Sequence, residues 1–218
     1  MGSRVVCISH TVAAGGERIG HAVAERLGFS YVDDEVILVA AEKAGVDPGV
    51  VAKAEEHTSL LTRLLDVLVS DPVTVEGYFA KADAGDYYPA APRRAVKPPA
   101  ETLRRLIQDA IVEIGRRGRV VIVAHAASMA LAQDRGALRV LVTAPLPTRV
   151  QRLKLTNKLL YEEDAARAVD ESDRGREHYF ERFYDVKKEL PTHYDLVVNT
   201  EVLRLEQAVG AIVAAATA

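Results

Sequence analysis

Apolar residues in this chain fall into short runs separated by stretches with helical spacing. Two are Val5-Val6-Cys7-Ile8 and Val120-Val121-Ile122-Val123-Ala124, and two more, Leu138 to Val142 and Tyr194-Asp195-Leu196-Val197-Val198, are each interrupted by one charged residue, Arg139 or Asp195. Runs that do not alternate with polar residues suit strands covered on both faces, as in a parallel sheet. Between them, Ile19, Ala22, Val23 and Leu27 line one side of a helix predicted over 17–27, with Gly28 as its C-cap. Phe29 to Val32 reads as a short second strand, and Val36 to Ala41 as a helix running up to Gly45. Leu103, Leu106, Ile107, Ala110, Ile111 and Ile114 predict an amphipathic helix over 101–117. The stretch 149–184 is helical and strongly charged, and a closing helix contains Leu203, Leu205, Val209 and Ile212, with Ala214-Ala215-Ala216 as no more than its frayed end. Strands alternating with helices predict an α/β fold around a parallel sheet with right-handed crossovers.

The least regular part is 46–118. Asp47-Pro48 suits a helix start, Leu60, Leu61, Leu64, Leu65 and Leu68 form an apolar stripe, and Asp71-Pro72 breaks it. Between 83 and 99 stand Gly85, Tyr87-Tyr88, Arg93-Arg94 and the prolines Pro89, Pro92, Pro98 and Pro99. A connection this long inside a compact domain is either a solvated loop or a segment that covers a ligand. The leucine stripe could bury against a second copy of the chain as easily as against its own, so a homodimer is one expectation.

Composition narrows the function classes. With 218 residues, 49% hydrophobic and 27% charged, the chain reads as one soluble globular domain with a smaller lobe. A net charge of -3 gives no basic surface for nucleic acid. No apolar run approaches the roughly 18 residues of a membrane span, and no secretory leader opens the sequence, so a cytoplasmic protein is expected. The single cysteine, Cys7, lies inside the first apolar run, where a small buried hydrophobe is expected rather than a reactive thiol.

The candidate chemistry begins where the first strand ends. Ser9-His10-Thr11-Val12-Ala13-Ala14-Gly15-Gly16-Glu17-Arg18 carries the chain from the strand through small residues into a helix. Such a loop turns backbone amides and a helix N-terminus toward an anion. Against the pattern G-x-x-x-x-G-K-[ST], Gly15 takes the second glycine, while His10 stands at the first, Gly16 at the lysine and Glu17 at the hydroxyl. The predicted second strand delivers Asp33, Asp34 and Glu35 to the same kind of edge, the carboxyl end of a sheet, where open α/β folds bind ligands.

Five stretches together resemble the cytidylate kinase-like family, a branch of the P-loop nucleoside-monophosphate kinases. They are Ala14-Gly15-Gly16 before a helix; Tyr31-Val32-Asp33-Asp34-Glu35-Val36-Ile37; Val120 to Ala127; Ala144-Pro145 followed by Arg149 and Arg152; and Asp173-Arg174-Gly175-Arg176-Glu177-His178-Tyr179-Phe180. Tyr194 to Thr200 also fits that family's final strand. The resemblance implies a three-layer P-loop kinase fold with a five-stranded parallel sheet in one domain over 1–218, an acceptor-side insertion over 46–100, and a helical lid over 149–185. It implies ATP and Mg²⁺ as cofactors and transfer of the γ-phosphoryl group to a nucleoside monophosphate, CMP or dCMP. By position it puts Ser9, His10, Thr11, Ala13, Ala14, Gly15, Gly16, Glu17 and Arg18 at the nucleotide, Asp33 and His125 at the acceptor, and Arg149, Arg152, Arg174 and Arg176 on the lid as catalytic residues. Arginines suit that task because a guanidinium gives paired donors and keeps its charge. On a helix of alternating charge, the same arginines also suit a salt-bridged solvated face, and Asp173 and Arg176 are spaced to pair with each other.

The sequence departs from the family at two strand ends. Ser9-His10 stands where the family has Ser-Arg, and Ala124-His125 where it has Gly-Arg, so two arginines have become histidines. Glu17-Arg18 also reverses the usual order of basic and acidic residues at the helix start. Two readings follow: a kinase with altered activity in which His10 and His125 act as weaker donors, or a catalytically degenerate binding or regulatory protein on the same fold. The plain alternative for each histidine is a local hydrogen bond that caps its strand.

Overall fold

The computed structural model describes residues 2–33, 100–124, 127–156 and 161–218. The predicted helix after Asp33, the Leu60–Leu68 stripe, the 83–99 segment, and Asp34, Glu35 and His125 lie outside these residues. The described chain runs β1 Val5–His10, α1 Gly16–Leu27, β2 Ser30–Val32, α2 Ala100–Arg117, β3 Val120–Val123, α3 Ala127–Ala130, β4 Ala137–Thr143, α4 Leu146–Thr156, α5 Glu162–Tyr184, β5 Leu196–Asn199 and α6 Leu205–Thr217. All five strands pair in parallel, in the order β2-β3-β1-β4-β5.

The apolar runs of β1, β3 and β4 have the expected cause, because both faces of the sheet are covered there, whereas in the edge strand β5 Val197 is exposed. On one face Val5, Cys7, Val120 and Ile122 pack with Ile107, Ala110, Ile111 and Ile114 of α2 and with Tyr179 and Phe183 of α5. On the other, Val6, Ile8, Val121, Val123, Val140 and Val142 pack with Ile19 and Val23 of α1 and Ala208, Val209 and Ile212 of α6. Alternate residues of β1 thus serve opposite layers, as the two-residue period of a strand requires. Cys7 is fully buried and its thiol is pushed up to about 12, chiefly by burial, which makes it a packing residue. A smaller cluster joins Val150 of α4 to Ala165 and Val169 of α5, with Val12 of the loop packed against it.

Several boundaries differ from the sequence reading. The charged stretch 149–184 contains two helices, α4 and α5, and α4 begins upstream at Leu146, just after Pro145. The last strand starts at Leu196. Pro191–His193 forms a 3-10 turn before it, and the Asp195 carboxylate is taken up by Arg139, whose Nη2 and Nε donate at 2.6 and 3.0 Å. Leu203 lies in the turn before α6 rather than in the helix. The terminal alanines are not frayed: α6 continues to Thr217, Ala216 is buried, and its carbonyl accepts the Ser3 N–H at 2.7 Å.

β1 is central, with β3 and then β2 on one side and β4 and then β5 on the other. The connections that leave the adjacent strands β1 and β3 run to opposite sides, to β2 and to β4, so the crevice where open α/β sheets bind ligands lies between their carboxyl ends. The loop after His10 opens there.

Candidate functional site

β1 hands the chain to the loop at His10. The Thr11 N–H donates to the Val142 carbonyl at 3.1 Å, so the first loop residue still belongs to the β1–β4 ladder. The Ala14 N–H then donates to the Thr11 carbonyl at 3.1 Å, closing a turn in which Ala13 has φ 61°. Gly15 follows at φ 85°, a left-handed conformation that costs other residues more than glycine, and it is the N-cap of α1. As a glycine it offers no side chain to cap the amides of the first turn, and the first hydrogen bond of that turn runs from the Ile19 N–H to the Gly15 carbonyl at 3.1 Å. The amides of Gly16, Glu17 and Arg18 precede that bond, at the positive end of the helix dipole. Gly15 is exposed, and a Cβ built on it would meet nothing within 4 Å. This is an open cradle for an anion, rimmed by the exposed side chains of Glu17 and Arg18.

His10 explains why the lysine position is glycine. A Cβ on Gly16 would lie 2.4 Å from both Cβ and Cγ of His10, so the imidazole lies directly against the Gly16 backbone. The ring donates from Nδ1 to the Thr11 carbonyl at 3.3 Å. Burial, followed by the positive charge of Arg176, lowers the His10 pKa to about 4, against the smaller opposite effect of the Thr11 bond. His10 is therefore neutral at pH 7 and brings no cationic charge to the loop. Ser9 points beneath the loop: its hydroxyl is buried, 3.2 Å from the Ser128 hydroxyl and 3.5 Å from the Ala124 carbonyl. Asp33 stands just past β2, where the Tyr31 hydroxyl donates to it at 3.3 Å. It shares the sheet's carboxyl edge with the loop, but β3 separates β2 from β1.

The four candidate arginines have different surroundings. Arg149 is buried, donating to both carboxylate oxygens of Asp173 at 2.9 and 2.7 Å and from Nε to the Ala144 carbonyl at 3.1 Å. Asp173 is thus taken by α4 and does not pair with Arg176 along its own helix. Arg176 is also buried and makes a bidentate pair with Glu189 at 2.7 and 2.6 Å, with its guanidinium 4.7 Å above the Phe180 ring. It reaches the Tyr194 hydroxyl and the His10 carbonyl, each at 3.3 Å. Burial opposes ionisation of Glu189, but its hydrogen bonds and charge interaction with Arg176 prevail and hold it below the usual carboxylate range. Burial, together with Glu189, raises the Tyr194 phenol despite Arg176, and that hydroxyl donates to Glu189. Arg174 is exposed and pairs with Asp170 one turn earlier, as a solvated helix face would.

Arg152 is unlike the other three. It is half-buried on α4, and its partners are neutral oxygens: Nη1 donates to the Thr200 hydroxyl at 2.9 Å, Nη2 to the Thr200 carbonyl at 2.6 Å, and Nη1 also reaches the Ala13 carbonyl at 3.5 Å. Among the described residues it has no carboxylate partner. A full positive charge thus stands at the flank of a loop that has no lysine.

Sequence reasoning did not single out Thr200, Glu189 or Tyr194. Thr200 had a weak signal, a hydroxyl closing an apolar run at the carboxyl edge of the sheet. Glu189 had none, because its pairing with Arg176 depends on how the chain returns after α5.

A family profile described as the cytidylate kinase-like family matches residues 5–202. The chain belongs to the cytidylate kinase-like family. No functionally curated protein is similar enough in sequence to match it. Among solved structures, it is similar to an uncharacterized protein from Eubacterium ventriosum, at 14% identity, 97% coverage of each chain and a TM-score of 0.63. It is also similar to shikimate kinase from Bacteroides thetaiotaomicron, at 12% identity, covering 95% of this chain and 93% of that one, with a TM-score of 0.50. The protein TT1252 from Thermus thermophilus matches at 18% identity over 100% of both chains, again with a TM-score of 0.50. At these identities the likeness concerns the fold, which is the P-loop kinase fold. Among the described residues no helix is long and apolar enough to cross a membrane.

Proposed function

We propose that the protein binds a nucleoside triphosphate on the 11–18 loop and transfers its terminal phosphoryl group to a small acceptor. Family membership makes a nucleoside monophosphate of the cytidine series the first acceptor to try. The observation that carries this reading is Arg152, a guanidinium with no carboxylate partner among the described residues, beside an uncapped helix N-terminus. Phosphoryl transfer asks a protein mainly to align the reactants and to neutralise charge on the transferring group, with little covalent chemistry. The amides at Gly16, Glu17 and Arg18 suit the first task for the donor's phosphates, and Arg152 and the exposed Arg18 suit the second.

The cradle fits a phosphate chain, because the space over Gly15 is open and the helix start is uncapped. Mg²⁺ takes most of its ligands from phosphates and water and needs few from protein. The Glu17 carboxylate, at the position where the G-x-x-x-x-G-K-[ST] pattern places a hydroxyl, is the residue of the loop that would hold it. Bound there, the ion would neutralise phosphate charge. Asp33 and His125 are the proposed acceptor contacts, and Arg149, Arg174 and Arg176 would join the reaction only by exchanging carboxylate partners for phosphate.

That exchange favours a second reading for one specific reason. Each of those three arginines already holds a carboxylate, two of them in bidentate and largely buried pairs. A protein that binds nucleotide without transferring phosphate would keep those pairs intact.

Two measurements on the purified chain separate the readings. ATP with Mg²⁺ should raise the melting temperature, since a ligand present at 100 times its Kd stabilises the native state by about 2.7 kcal/mol. ATP with CMP or dCMP, and then with the other nucleoside monophosphates, should produce ADP. Stabilisation without ADP formation selects the binding reading, and no stabilisation at millimolar nucleotide overturns both.

A further inference from the structure

Thr200, just past the end of β5, joins three elements at one buried side chain. Its N–H donates to the Thr143 carbonyl at 2.8 Å, fixing it to the end of β4. Its hydroxyl donates to the Ala14 carbonyl at 2.9 Å and lies 3.3 Å from the Thr143 carbonyl. The same oxygen accepts from Arg152, whose other terminal nitrogen takes the Thr200 carbonyl. Arg152 in turn reaches the Ala13 carbonyl. Two successive loop carbonyls are therefore held by one hydroxyl and guanidinium pair.

A trans peptide is planar, with its N–H opposed to its C=O. The Ala14 carbonyl shares its peptide with the Gly15 N–H, so pulling that carbonyl toward Thr200 turns the Gly15 N–H to the opposite side. In a left-handed turn that opens a helix, such an outward N–H extends the row of amides offered to an anion. The Ala13 carbonyl belongs to the peptide whose N–H is already used by Thr11. We propose that Thr200 is a positioning residue for the loop: its hydroxyl orients the Ala14–Gly15 peptide toward phosphate and anchors the Arg152 guanidinium beside it. This rests on the nucleotide-binding reading above for its consequence, but not for its geometry.

The test uses the full chain with T200V, which keeps the shape and removes the hydroxyl, and T200S, which restores it. Without ligand, hydrogen exchange by NMR reads the Ala14 and Ile19 amides, the two bonds that close the loop. With ligand, calorimetry reads the affinity for ATP with Mg²⁺. T200V should speed exchange at Ala14 and weaken ATP binding by about tenfold or more, the scale of one charge-linked hydrogen bond. T200S should stay close to wild type in both. T148V serves as a control, because the Thr148 hydroxyl meets Glu201 at an exposed site, and should change neither. Should T200V not fold, T200A carries the same prediction, since it removes the same hydroxyl from the Ala14 carbonyl and from Arg152.

Unchanged exchange at Ala14 in T200V overturns the positioning role whatever the nucleotide does. Undiminished ATP binding by T200V, with a wild type that binds, overturns it as well. A wild type that binds no ATP overturns the nucleotide reading instead, and the exchange measurement still decides the role of Thr200.

Discussion

At the scale of single residues, the contact between His10 and Gly16 shows why position 16 of the loop is a glycine. The sequence shows the absent lysine and the histidine at position 10 as separate features. The structure connects them: with the Cβ and Cγ of His10 lying against residue 16, a backbone without Cβ is required there. Gly16→Ala should therefore destabilise the fold by about 2 kcal/mol, the usual scale of forced overpacking, and should cost less in an H10G chain, which lacks both His10 atoms that lie 2.4 Å away. Urea midpoints of the two variants check this, and an equal loss in both would separate the residues. The depressed pKa of His10 also predicts a pH dependence. The unfolded histidine takes up a proton near pH 6.5 and the folded one only near pH 4. Its contribution is complete above 6.5 and is lost as pH falls toward 4, at a rate of at most about 1.4 kcal/mol per pH unit. Denaturation at pH 7 and pH 5 should show a smaller loss for H10N than for wild type. None of this was legible in the sequence, which identified His10 as a replacement but not its contact or its charge.

Among elements, α4 and α5 are tied to the loop from different directions. Val12 packs with Val150, Ala165 and Val169, and Arg176 reaches from α5 to the His10 carbonyl while Glu189 holds its other side. The C-terminal half of α5 also contributes Tyr179 and Phe183 to the sheet core. A lid that closes over substrate would therefore draw on α4 and the start of α5 more readily than on Arg176. Removing one member of a buried pair leaves an uncompensated charge, so E189Q should cost about 3 kcal/mol. D170N, at the exposed pair with Arg174, should cost less than about 1 kcal/mol. Chemical denaturation of both checks the contrast, and similar losses would contradict it. Sequence spacing finds pairs three or four residues apart on a helix, which is why the Arg174 pair was foreseeable. It is blind to Asp173 with Arg149, 24 residues apart, and it suggested the wrong partner for Asp173.

For the whole molecule, the sequence was informative where one physical pattern repeats. Continuous apolar runs, helix periods and Gly28 located the strands and helices around the sheet to within a few residues, and family motifs ordered them. Boundaries moved where tertiary contacts decided: α6 extends through its alanines because Ser3 and the core hold them, and Asp195, just before β5, is tied to Arg139 by both its N–H and its carboxylate. The loop was located correctly as a backbone feature, but the charge beside it was not. Arg152 was one of four equivalent candidates in the sequence, and only the assembled fold shows that the other three are paired with carboxylates. The account therefore depends most on whether the loop and Arg152 together bind a triphosphate. Calorimetric titration of the wild-type chain and R152Q with ATP and Mg²⁺ tests this most directly. Saturable binding at one site, weakened about tenfold or more in R152Q, is the predicted result. Equal affinity in the two proteins, or no binding to wild type at millimolar ATP, would contradict it.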